Sequence, residues 1–117
     1  MYRIVTEFTN TTIASRIRGL IAGQGSLTEL AARLHVDEVA LRISTDELSP
    51  YPTLNVIQAI VREYGVDPTW LLTGEYESAS HREALEAQTS ELPRVVSKVI
   101  GRAGVDTPRQ LRIVREA

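Results

Sequence analysis

The chain has 117 residues, 43% of them hydrophobic, and a formal net charge of -2, which is enough apolar material for the core of one small domain. With no cysteine and only two histidines, His35 and His81, disulfides and thiolate metal sites are excluded, and neither a metal site nor a cofactor is expected. No apolar run approaches the roughly 20 residues of a membrane span and the opening MYRIVTEFTN lacks the basic and apolar regions of a signal peptide, so the expected location is the cytoplasm, away from membranes.

In chain order, YRIVTEF at 2–8 is the one stretch with strand-like alternation and reads as a short extended arm within residues 1–10. Ile13, Ile17, Leu20 and Ile21 then fall at helical spacing, predicting a helix over about 11–22 that GQG ends. Ser26 opens the next. Its hydroxyl and the Glu29 carboxylate are spaced as a capping box, and Leu27, Leu30, Ala31 and Leu34 form the buried stripe.

HVD at 35–37, GVD at 65–67 and GVD at 104–106 repeat one device: a residue for the left-handed conformation, a valine to bury under the corner, and an aspartate to cap the next helix or its approach. Between these corners lie a helix over about 38–48, one starting at Thr53 with Leu54, Ile57, Ile60, Val61 and Tyr64 inward, and the short helix of DPTWLLTG. Polar residues in EYESAS, 75–80, mark a boundary. Three further helical segments are predicted beyond it: about 80–91, LPRVVSKVIGRAG and TPRQLRIVREA.

Charge divides the same way. Residues 26–76 hold three arginines against eight carboxylates, net -5, whereas residues 94–117 hold six cations against two carboxylates, net +4. A basic tail is either an interaction surface or a solvated face whose cations complement helix C-termini.

Leu30, Ala31, Leu34, Val36, Leu41, YPTLNVIQAI and YGVDPTWLLTGE together make residues 11–76 resemble the Cro and phage-repressor type of helix-turn-helix domain. The resemblance implies an all-α fold: a five-helix, lambda-repressor-like bundle with Trp70 in its core, followed by a C-terminal helical segment over 77–117. It also implies a transcriptional regulator with double-stranded DNA as partner, and hence a cytoplasmic place at the nucleoid. The sequence departs from the family at His35, where glycine is usual, and at Ser44, where an apolar residue is usual. Either the third helix is rotated slightly, or it shows apolar surface.

By place in the motif, Glu38, Val39, Arg42 and Ile43 are the candidates for reading base edges. Arginine suits guanine, an apolar side chain suits the thymine methyl, and glutamate accepts from cytosine. Ser26, Thr28, Arg33, Thr45 and Tyr51 are the candidates for phosphate contacts, with extra charge expected from Arg16, Arg18 or the basic tail. Val95, Val96, Val99 and Ile100 form an apolar face that must pack on the first unit or on another subunit; a homodimer through these four is the expected arrangement. The competing expectation is a protein partner, with Val39, Ile43 and Leu48 as the contact patch. No phosphate-binding glycine loop or nucleophile motif is present, so no enzyme is expected.

Overall fold

The computed structural model describes residues 12–46 and 52–103, which form α1 (Ile13–Ile21), α2 (Leu27–Leu34), α3 (Glu38–Ser44), α4 (Leu54–Tyr64), α5 (Pro68–Thr73), α6 (Ser78–Glu86) and α7 (Leu92–Ala103), with no strand among them. Short polar side chains open five of these helices, because the first turn of any helix leaves backbone N–H groups without partners. Thr12 Oγ1 accepts from Ser15 N at 3.0 Å, Asp37 Oδ2 from Ala40 N at 3.2 Å and Thr53 Oγ1 from Val56 N at 3.2 Å. At α2 the capping box is complete, with Glu29 N on Ser26 Oγ and Ser26 N on Glu29 Oε1, both 3.1 Å.

Asp67 does more than open α5. Its buried carboxylate accepts from Thr69 N at 3.1 Å and Trp70 N at 3.2 Å, and also from Glu77 N at 2.6 Å and the Ser80 hydroxyl. One side chain therefore joins the start of α5 to the start of α6. Two exposed ion pairs, Lys98 with Glu83 at 2.7 Å and Arg102 with Glu77 at 2.8 Å, run from α7 to α6 or its N-cap. Pairs so exposed contribute at most about 1 kcal/mol each, so burial holds α7 in place.

That burial is extensive and it corrects the expectation for the C-terminal segment. Val95, Val96, Val99 and Ile100 are 4%, 0%, 1% and 0% exposed within the single chain, in one core with Ile13, Ile17, Leu41, Ile57 and Leu71. The four residues expected to meet a second copy instead face α4, α5 and α6. Their spacing puts them on one stripe, and that stripe packs against these three helices.

Other differences are smaller. Trp70 is only partly buried and packs on the edge of the core. α3 ends at Ser44 rather than near 48, and α6 spans Ser78–Glu86 rather than 80–91. The arm at 1–10, Glu47, Leu48, Tyr51, the third corner at 104–106 and TPRQLRIVREA lie outside the described residues. Among the described residues no helix is long and apolar enough to cross a membrane.

Full burial of an aliphatic side chain contributes about 1.5–3 kcal/mol. Leu92, Val95, Val96, Val99 and Ile100 together thus supply on the order of 10 kcal/mol, comparable with the whole stability of a small domain. A chain ending at Glu77 is expected not to fold, read as loss of the helical signal and of the cooperative melting transition. In the full chain, Ile100→Ala is expected to cost about 2–5 kcal/mol in urea unfolding.

Candidate nucleic-acid interface

α2 and α3 meet through His35, Val36 and Asp37, and the turn is closed by backbone bonds. His35 is the one non-glycine residue with positive φ among the described residues, at φ 61° and ψ 43°, with its N–H on the Ala31 and Ala32 carbonyls. Val36 N donates to Ala31 O at 3.0 Å. Histidine reaches this conformation at lower cost than a branched residue, and its exposed ring needs no further role there.

Ala40, Leu41 and Ser44 form the buried side of α3. Ser44 is fully buried with its hydroxyl satisfied both ways, donating to Ala40 O at 2.7 Å and accepting from Thr53 N at 3.1 Å. α3 is therefore not rotated to hide its other apolar residues. Val39 is 57% exposed and Ile43 half-buried. Arg42 and Glu38 share this outward side and form an ion pair one turn apart, 2.7 Å from Nη2 to Oε2. All four base-reading candidates thus stand on one helix of two turns.

The phosphate candidates are less well served. Ser26 and Thr28 are exposed at the start of α2, with the Ser26 hydroxyl already accepting the capping bond. Arg33 is exposed, yet it donates to Gln24 Oε1 at 2.6 Å and Tyr64 Oη at 3.1 Å, with its Nε 3.7 Å from Glu63. Thr45 is buried and its hydroxyl turns back to the Leu41 and Arg42 carbonyls at 3.0 and 3.1 Å, so it offers no donor to a phosphate. Tyr51 lies outside the described residues.

Arg16 and Arg18 do not supply the missing charge either. Arg16 is 5% exposed and its Nε donates to Leu71 O at 2.8 Å, near the C-terminal end of α5. Burial lowers its pKa below the ordinary guanidinium value, though arginine remains charged. Arg18 Nη1 donates to Thr45 O at 2.5 Å, at the end of α3, and Arg62 Nη2 to Leu34 O at 3.3 Å, at the end of α2. Three arginines thus serve carbonyls that helix ends leave unpaired, where the helix dipole also favours a cation. Sequence reasoning missed this use of them. The available signal was position: Arg16 lies three residues after Ile13 and four before Leu20, flanking the buried stripe of α1.

Ser80, His81 and Asp67 lie close together without forming a nucleophile and base pair. His81 Nε2 is 2.8 Å from Gly65 O and Nδ1 is 2.9 Å from Tyr76 Oη, so both ring nitrogens are engaged elsewhere. The carbonyl can only accept, so Nε2 carries a proton and donates to it. Among the described residues no group of three or more histidine or carboxylate side chains is arranged to hold a metal ion.

The left-handed His35 costs roughly 1–2 kcal/mol. Glycine relieves that cost, partly offset by about 0.5–1 kcal/mol of extra freedom in the unfolded chain. His35→Gly is therefore expected to raise stability by up to about 1 kcal/mol in urea unfolding. Comparison with protein-family models, with curated proteins and with solved structures found no match for this chain.

Proposed function

We propose that this protein is a sequence-specific DNA-binding regulator that presents the outward side of α3 to the major groove, with α1–α5 as its five-helix, repressor-type bundle. The observation that carries the proposal is the two-turn α3. It is anchored by Ala40, Leu41 and Ser44, joined to α2 by a left-handed corner, and shows Glu38, Val39, Arg42 and Ile43 on its other side. Rigid placement matters because base readout depends on a few side chains held at fixed positions.

The Glu38–Arg42 pair is exposed and worth about 0.3–0.5 kcal/mol, so it opens readily when a better partner is offered. Arg42 then reaches a guanine edge, Val39 and Ile43 touch thymine methyls, and Glu38 accepts from a cytosine amino group. Phosphates are met by Ser26, Thr28 and the backbone at the start of α2, and by Arg33 once it leaves Glu63. With so few cations one copy binds weakly, and two copies on half-sites about 34–36 Å apart are needed for firm binding.

A second reading has its own observation. Val39 is more than half exposed on a helix with Asp37 and Glu38 beside it, a surface that also suits a protein partner with a basic, partly apolar contact face.

Selection from random-sequence duplexes separates the two. A preferred sequence is expected to emerge, and Arg42→Ala is expected to melt as the parent does while losing about 1–3 kcal/mol of preference at one base pair. Failure to enrich any sequence rejects the DNA reading; an unchanged preference in Arg42→Ala removes α3 from the contact.

A further inference from the structure

Away from α3, the corner between α4 and α5 and the start of α6 surround an open cleft of about 330 Å³. Three of the side chains in its wall are aromatic: Trp70 of α5, Tyr76, and His81 of α6. Gly65, Val66 and Asp67 complete the wall, and among the described residues no lysine or arginine borders it.

Two of the rings are held in place. Tyr76 Oη and His81 Nδ1 are 2.9 Å apart, and the rings meet edge-on, with centroids 5.3 Å apart and planes at 83°. His81 Nε2 donates to Gly65 O at 2.8 Å, which ties the pair to the α4–α5 corner. Tyr76 is nevertheless 62% exposed. A ring restrained in this way loses little freedom when a ligand covers it.

Charge decides what kind of ligand the cleft takes. Asp67, 2% exposed, has its carboxylate among two α5 N–H groups, the Glu77 N–H and the Ser80 hydroxyl. Every one of these partners is neutral. They satisfy the oxygens and leave a net negative charge in the wall, where water and salt screen it less than at the surface. Aromatic faces are negative as well, through their quadrupoles. A cation is therefore favoured, and one wrapped in methyl groups meets apolar walls without losing a tightly held water shell. The other cleft that Trp70 borders is opposite in character, because Arg16 lies in its wall.

We infer that the cleft binds a small organic ammonium ion, with a trimethylammonium group against Trp70, Tyr76 and His81 and with Asp67 supplying the opposite charge. A free small molecule suits it, since its volume falls at the lower end of the roughly 300–1,000 Å³ of small-ligand sites. No residue of α2 or α3 takes part, so the inference stands independently of the DNA reading.

Trp70 is the chain's one tryptophan, so its fluorescence reads the cleft directly. Titration of the full chain with choline is expected to change that emission saturably, with a dissociation constant on the order of 1 mM. The neutral analogue of choline, with tert-butyl in place of trimethylammonium, has the same shape without the charge and is expected to bind about tenfold more weakly. Tyr76→Leu is expected to weaken choline about tenfold with nearly unchanged melting, because the side chain is exposed. Tyr76→Phe keeps the ring and is expected to stay within about threefold of the parent. No saturable change up to about 50 mM choline overturns the inference. Equal binding of the neutral analogue, or undiminished affinity in Tyr76→Leu, overturns it too. A trimethyllysine peptide that binds more than about tenfold tighter than choline overturns the free molecule as the source.

Discussion

One buried carboxylate, that of Asp67, sets where the second half of the molecule goes. Burying a charge is costly unless donors surround it, and Asp67 has two backbone N–H groups of its own helix, a third from Glu77 and the hydroxyl of Ser80. Hydrogen bonds to a charged group contribute about 1.5–3 kcal/mol each, and the four made here satisfy the carboxylate inside the fold. The last two bonds reach ten and thirteen residues along the chain. They fix the start of α6 against the start of α5, and α7, packed on both, completes the core. Ser80 is buried for the same reason, as the one buried residue of α6.

Closing the bundle in this way has an electrostatic consequence for the surface that remains. Arg16, Arg18 and Arg62 are committed to carbonyls at the ends of α5, α3 and α2, and Lys98 and Arg102 to carboxylates at α6. The side of α3 turned to solvent is left with Arg42, facing Glu38, and its neighbour α2 with Arg33, facing Glu63. If α3 meets a nucleic acid as proposed, its contacts suit discriminating bases more than neutralising phosphates. On the proposed DNA-binding reading, firm binding then needs two copies on neighbouring half-sites.

The features legible in the sequence are those decided within a few residues. The Ser26 and Glu29 capping box, the caps at Asp37, Thr53 and Asp67, the left-handed His35 and the glycine ends of α4 and α5 all depend on neighbours no more than four positions away. Long-range choices are not legible there. Arg16 meets Leu71 across 55 positions, and nothing in the apolar spacing of α7 tells whether its stripe faces its own bundle or another chain. Thr45 is no phosphate donor, because the helix stops there and turns the hydroxyl inward, which its place in the motif does not reveal. Ser44 is visible in the sequence as a departure from the motif. Its partner, the Thr53 N–H, comes from the start of a different helix and is visible only in the fold.

The central physical claim is that α7 belongs to the same cooperative unit as the helices that carry the outward surface of α3. Native-state hydrogen exchange of the full chain tests it most directly, because it reads the opening free energy of each amide separately. The slowest amides of α7, at Val99 and Ile100, are expected to exchange with opening free energies within about 1 kcal/mol of those at Ile17 and Ile60, and with the same denaturant dependence. Opening of α7 several kcal/mol below α1 and α4 would show a helix that docks on a finished core and would contradict the claim.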